Sequence, residues 1–592
     1  MCRATRAGLP EFPLTFVLAM VLSPAPLLAV STCDGTPAYT PCDMVFELNT
    51  AEAAQHPDPY RDLDVQVEFR SPQFKTFLIP AFWDGGNKFV LRVTPTEEGV
   101  WTYKITGNVP SLDGKQGSFT ARASDSPGFI HAANVHHWQS DNKKAHLWIG
   151  DVADRLAFAS QAEVEAKLAN TVKNKFTHLR ISILGGAGDR RRVYADGRPN
   201  PEYFDELDRR IETINAFGVV VDLTLADTPP DLAALAGDAE ARERLVRFLA
   251  GRVGPLNVSW EGVLSFEDFP GSRELLKEVG LDIQKLDPYQ HPRSTNAKVT
   301  SSPLLNDGWM TFVIERNLAP EDDQTAQIEH QLYPVPFIGV TTAARLWDAT
   351  TDGQYPMFEG KQEFEAKTWF EFVSDSQHWE LEPYYDVDGG RALALEGIEY
   401  ILYVDHPGPP VEVEVEHHGF DGYVVTWLNP LTGETQVEKK KYRGEHYTGL
   451  PPDNTHPWVL RVSRENEKES MLKSYYFDSK DLVMQEIEGN SDKVVFEVAE
   501  PGKDSLAVGG TVHYSAKLKR TSRATREMRY LWTGEVSADG EGFRVLGNGA
   551  EGDLHLSASM AKSYPATMLM RLYGLNANGK LYEVDKGYTL TK

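Results

Sequence analysis

Between residues 145 and 365 short apolar runs alternate with amphipathic stretches, and that alternation limits the folds open to the chain. His146–Asp151, Thr177–Leu184 and Val219–Leu225 read as strands; the last is almost continuously apolar, as a strand buried on both faces would be. Helical spacing covers Ala162–Lys173, Tyr203–Phe217 with Gly218 as a terminal cap, and Ala241–Arg252. Asn257–Leu264 is another strand. The helix after it, over Arg273–Lys285, carries Leu275, Leu276, Val279 and Ile283 on one stripe and stops at Asp287-Pro288. Trp309–Val313, Pro336–Val340, a helix over Ala343–Thr350 and Tyr355–Phe358 continue the pattern. Repeated β/α units predict a (β/α)8 TIM barrel. A doubly wound sheet is the alternative, but no GxGxxG follows a strand to make it a dinucleotide domain.

A chain of 592 residues exceeds one core, and what flanks the barrel region is β-patterned. From Cys42 to Ala123, Leu63–Phe69, Phe89–Val93 and Trp101–Ile105 alternate between turn signals such as Asp84-Gly85-Gly86-Asn87, which predicts an immunoglobulin-like β-sandwich. Ile398–Val404, Val411–Val415, Tyr423–Trp427 and Trp458–Val462 predict a second sandwich over 386–465, and Val494–Val498 and Glu527–Leu531 a third over 470–592. The expected class is therefore multidomain, α/β plus all-β, with the barrel domain at 130–385. The first 31 residues combine Arg3 and Arg6 with the apolar run Phe16–Val30, broken by Pro24 and Pro26, and read as a secretory signal rather than a membrane span. Export to the periplasm or beyond follows, in which case Cys33 and Cys42 are expected to pair.

A formal net charge of -26 argues against a nucleic-acid partner, because phosphate binding needs clustered Lys and Arg. Twelve Trp and 23 Tyr supply aromatic faces of the kind that stack on sugars, though β-rich cores use them too.

Particular motifs carry a resemblance. Pro59-Tyr60, Phe82-Trp83-Asp84-Gly85 and Glu98-Gly99-Val100-Trp101 resemble the small immunoglobulin-like domain that precedes the barrel in many bacterial polysaccharide-degrading enzymes. His146–Asp151, Tyr203–Asp208, Asp287–Pro292 and Trp369–Glu382 resemble apiosidase-like glycoside hydrolase barrels, and the segment after 385 resembles the collagen-binding-type sandwich that closes them. The resemblance spans roughly residues 42–465. It implies cleavage of glycosidic bonds by two carboxylates, with a carbohydrate as the partner and no cofactor.

Such hydrolysis needs one carboxyl group to protonate the leaving oxygen and a second across the sugar. Glu267, just beyond the strand holding Trp260, is the first choice, and Glu261 is the alternative, free to face either the barrel interior or the helices. Asp268 is a neighbour able to tune either. The resemblance implies a glutamate after the seventh strand, but Pro336–Thr342 contains none. Glu329 and Glu359, each close to an apparent strand, are the substitutes, and a barrel that binds sugar without cutting it is the competing reading. Asp151, Arg180, Trp260, His291, His330 and Tyr333 are the expected substrate contacts, with helix capping or loop ordering as alternatives for Asp151 and His291. His136 and His137 read as linker residues. No third ligand is spaced in sequence to join them, so no metal is expected.

Overall fold

The computed structural model describes residues 33–360, 363–417, 421–466, 488–489, 496–499, 504–518, 527–537 and 542–592. The expected signal segment and Val494 and Val495 of one expected strand lie outside the described residues.

Eight parallel strands form the barrel: β1 (Gly150–Val152), β2 (His178–Ser182), β3 (Val220–Ala226), β4 (Val258–Val263), β5 (Arg293–Ser294), β6 (Val313–Asn317), β7 (Phe337–Thr341) and β8 (Tyr355–Phe358). Each pairs with the next except β5 with β6, and β8 closes on β1 with Gly150 opposite Met357. At the β5–β6 seam flanking residues make the link instead, with Thr311 N–H donating to the Arg293 carbonyl at 2.8 Å and Ser301 N–H to the Ile314 carbonyl at 3.0 Å. Six helices of more than ten residues form most of the outer layer: α1 (Gln161–Lys173), α2 (Pro201–Ala216), α3 (Ala239–Val253), α4 (Ser272–Leu286), α5 (Asp322–Leu332) and α6 (Glu363–Val373). Leu179, Ile181, Val221, Leu223, Val258 and Trp260 join the hydrophobic cluster of that layer, so their neighbours on each strand face inward. His178, Arg180, Asp222, Thr224, Ser259 and Glu261 are therefore the polar lining of the barrel.

The floor of the barrel is aromatic. An antiparallel hairpin, Ile130–Ala133 with His137–Ser140, precedes β1 and carries Trp138 against Trp148 (ring centroids 4.7 Å apart) and Phe312 (5.4 Å). Trp148 in turn stacks on His178 at 3.5 Å. These rings plug the N-terminal end, which leaves the C-terminal end as the open one.

The N-terminal sandwich pairs a four-stranded sheet (Val65–Arg70, Thr76–Pro80, Gly99–Gly107 and Gln116–Ala121) with a three-stranded one (Cys42–Glu47, Phe82–Trp83 and Lys88–Val93). Val67, Phe69, Phe77, Ile79, Leu91 and Trp101 fill its core. Cys33 and Cys42 are disulfide-bonded with Cα atoms 5.3 Å apart. Closing so short a loop restricts the unfolded chain, so Cys42→Ser is expected to destabilise this sandwich by about 2–3 kcal/mol, read as faster hydrogen exchange across Lys88–Val93.

Two buried arginines join this sandwich to the barrel. Arg252, at the end of α3 and 1% exposed, donates to Asp208 (3.0 Å) and Asp205 (2.6 Å) of α2 and to Asp84 of the sandwich (3.0 Å). Arg92 of the sandwich donates to Asp43 at 2.7 and 2.9 Å, lies 3.1 Å from Asp208, and gives its remaining N–H to the Arg252 carbonyl at 2.8 Å. Gly251 permits the contact, since a Cβ there would lie inside van der Waals distance of the Pro80 carbonyl.

Beyond the barrel, Glu382–Ser463 form a six-stranded sheet with a three-stranded partner, and a last β-module occupies the described residues after 488. That module rests on α5: Ile328 packs with Leu531, Tyr573 and Leu575, Tyr530 N–H donates to Gln324 (3.0 Å), and Asn548 donates to the Glu321 carbonyl (2.9 Å).

Candidate active site

The C-terminal ends of the barrel strands are where a parallel barrel places its working side chains. Glu261, the fourth residue of β4, points inward and is 1% exposed. Asn296, beyond β5, donates its amide N–H to Glu261 Oε2, and Thr224 of β3 approaches the same oxygen at 3.4 Å. Arg180 of β2 donates to the side-chain Oδ1 of Asn296 at 2.6 Å and forks onto Asp154 beyond β1 at 2.9 and 3.3 Å. One turn lower in the lining, Asp222 accepts from Ser259 at 2.6 Å and lies 2.9 Å from His178 Nδ1. Burial, and then the charge of Asp222, raise Glu261 to about 8; burial raises Asp222 to about 7. Two acids so close lose their protons as a pair, and Glu261 keeps its proton at neutral pH.

Across the barrel, Glu359 is the first residue after β8 and accepts from Arg316 of β6 at 2.7 Å. It is half exposed, and both Glu261 and Glu359 act electrostatically on Arg180. The rim continues with Ser182 donating to Asp227 at 2.7 Å and Arg155 forking onto Asp189 at 2.6 and 2.7 Å. The mouth thus offers a protonated carboxyl on one wall, an arginine-paired carboxylate on the other, and hydrogen-bonding groups between them. β7 contributes no acid here: it ends at Thr341, with Thr342 next.

Several expected site residues lie elsewhere. Glu267 sits on the rim with both oxygens taken by the Lys298 N–H (2.8 and 3.0 Å), one of them also by the Val299 N–H (3.2 Å). Desolvation of its carboxyl raises it and those N–H groups pull the other way, so its carboxyl braces the loop after β5 to the loop after β4. Glu329 belongs to α5 and is wholly buried behind β6, accepting from Thr300 (2.6 Å) and Ser302 (2.7 Å) beside Glu315. Glu315 is raised well above the carboxylate range by burial and by that neighbour, because both cannot ionise there. Asp151 faces outward to Lys167 of α1 at 2.5 Å. Trp260 also faces outward, its indole N–H donating to Asp287 at 3.0 Å. His291 lies on the floor side, bonded to the Gly254 carbonyl at 2.8 Å and edge-on to Phe129. His330 and Tyr333, at the C-terminal end of α5, are also at the floor. Of the expected residues, Glu261, Glu359 and Arg180 converge at the mouth.

Asp154, Asp222, Asn296 and Arg316 were not singled out in the sequence. The signal for Asp222 and Glu261 was available, since the apolar partners Val221, Leu223 and Trp260 must face the helices and force the intervening residues inward. Asn296 follows a strand, and Arg316 lies within one, too short or too polar to be phased that way.

Residues 36–108 match a family model described as a domain of unknown function, DUF5060. No curated protein matches the chain. Among solved structures, a candidate glycoside hydrolase from Bacteroides vulgatus superposes with a TM-score of 0.61 at 16% identity, covering 73% of this chain and 99% of that one. A family 5 glycoside hydrolase from the same organism gives 0.49 at 13% identity, covering 58% of this chain and 95% of that one. At such identity only the fold is shared. The chain is a TIM barrel flanked by β-sandwiches, with a glycoside hydrolase-like fold.

Proposed function

We propose that the chain is an exported, apiosidase-like glycoside hydrolase that cleaves poly- or oligosaccharide by acid/base chemistry with two carboxylates. Glu261 is the proton donor to the leaving oxygen. Glu359, paired with Arg316, is the opposed carboxylate. Arg180, Asp154 and Asn296 hold Glu261 in place and offer hydrogen bonds to sugar hydroxyls. The placement of Glu261 and Glu359 on opposite walls of one barrel mouth carries this reading. The fold shared with a candidate glycoside hydrolase supports a carbohydrate as substrate. The Cys33–Cys42 disulfide supports an oxidising compartment and hence export. The collagen-binding-type sandwich over 386–465 packs against the barrel and is assigned a supporting role.

The test is release of reducing ends from a panel of bacterial and plant polysaccharides. Wild-type protein is expected to release them, and Glu359→Gln to lower the rate by at least about 100-fold, the lower end for a positioned acid or base. Release that survives unchanged in that variant removes Glu359 from the reaction.

The absence of an acid at the end of β7, together with the deep burial of Glu261, favours a second reading: a barrel that binds sugar without cutting it. Saturable glycan binding weakened by Arg180→Met, with no reducing ends released from any glycan bound, would select it.

A further inference from the structure

At the floor, far from the mouth, three histidines converge on one carboxylate. Glu382 opens the sandwich that follows the barrel. Its Oε2 lies 3.0 Å from His136 Nδ1, in the floor hairpin, and 3.4 Å from His330 Nε2, near the end of α5. One donor atom from each of these three residues lies within 4.8 Å of the others. Local spacing shows no third ligand for His136, because its partners come from segments distant in the chain and meet only when the floor closes.

We propose that His136, His330 and Glu382 form a site for a divalent transition-metal ion, zinc above all. Zinc takes imidazole nitrogen and carboxylate oxygen at about 2.0–2.2 Å in tetrahedral geometry, which sets its ligand atoms about 3.3–3.5 Å apart. The observed 3.0 and 3.4 Å separations need only a small adjustment to reach that edge. Two imidazoles against one carboxylate form a donor set that calcium and magnesium, which seek oxygen, do not favour.

The surrounding residues are those that orient ligands. The far nitrogen of His136 is 3.1 Å from the Tyr333 carbonyl, which fixes the tautomer that leaves Nδ1 free to coordinate. His137 meets the Tyr355 hydroxyl through Nδ1 at 2.7 Å, so its Nε2 faces the other Glu382 oxygen at 3.3 Å and steadies the carboxylate. His136 and His330 have ring centroids 3.9 Å apart, near enough for both to serve one ion. Three protein ligands leave a fourth position for water. The ion would tie the hairpin, α5 and the first strand of the following sandwich together, a structural role independent of the sugar chemistry.

The test uses untagged full-length protein, stripped with chelator and dialysed against zinc alone. About one tightly held zinc per chain is expected, and cobalt in its place should give the visible bands of a four-coordinate nitrogen–oxygen site. Glu382→Gln and His330→Gln should each raise the zinc Kd by more than about 100-fold, and His137→Gln by about 10–100-fold, as outer-shell changes do. His406→Gln, on an exposed loop, should leave it unchanged. Circular dichroism confirms which variants fold. Wild-type protein that retains no zinc overturns the proposal whatever the variants do, and so does zinc binding that a folded Glu382→Gln protein keeps in full.

Discussion

Glu261→Gln is expected to lower turnover by about 100- to 10,000-fold while the barrel stays folded, because the amide keeps the shape of the carboxyl but has no proton to give. The pH dependence carries a sharper signature. Glu261 holds its proton up to about 8 in the folded chain, so wild-type activity should fall as pH rises through that region, with an apparent midpoint belonging jointly to Glu261 and Asp222. The sign for stability is the reverse of the usual carboxylate case. The unfolded chain releases this proton near 4.5 and the folded chain only near 8. Wild-type stability therefore declines as pH rises across that window, and the loss is complete above it. Glu261→Gln has no such proton, so it should match wild type in melting temperature at pH 4 and exceed it at pH 9. Paired thermal melts at the two values read this directly. A variant that retains full turnover, or a difference in melting temperature that does not change with pH, would remove Glu261 from the role given to it.

The second large effect is mechanical. Arg252→Ala should destabilise the protein by about 3 kcal/mol, the lower end for breaking a buried ion pair, because it takes one guanidinium from both Asp84 and Asp208 and leaves them only Lys88 and Arg92. Arg244→Ala is the contrast. Its partner Glu240 is almost fully exposed, and the pair is one helical turn apart on α3, so its removal should cost about 0.3–0.5 kcal/mol. Urea unfolding of the two variants should separate them clearly. An Arg252→Ala protein within about 1 kcal/mol of wild type would mean that hydrophobic contact alone joins sandwich to barrel.

The architecture was legible because it rests on periodicity. Val219–Leu225 reads as a buried strand and Tyr203–Phe217 as an amphipathic helix from their side chains alone, and the structure places β3 and α2 there. The chemistry was less legible, for two physical reasons. The motifs that stood out, Tyr203–Asp208 and Asp287–Pro292, belong to the joint with the N-terminal sandwich: Asp205 and Asp208 neutralise Arg252, and the Tyr289 hydroxyl accepts from Thr94 N–H at 2.8 Å. Distinctive sequence there reflects a demanding interface. Position in a loop was also a poor guide to the mouth. Glu267 lies beyond its strand, as expected of a working residue, yet backbone N–H groups absorb its charge, whereas Glu261 is carried inward by the two-residue period of β4. His330 and Tyr333 misled for a similar reason, since their polarity serves the floor.

The seating of the last β-module on α5 bears on how such a chain can be inherited. A β-module linked through solvent can be lost or exchanged by recombination without harm to its neighbour. Here one helix serves two clients, with Glu329 turned to the barrel and Ile328 to Leu531 and Leu575. Exchange of the final module would leave Ile328 uncovered and the amide of Gln324 without its backbone donor, so α5 and that module are expected to change together between relatives. The unit of descent is then larger than the domain, and a boundary drawn between barrel and tail would divide residues that selection treats as one.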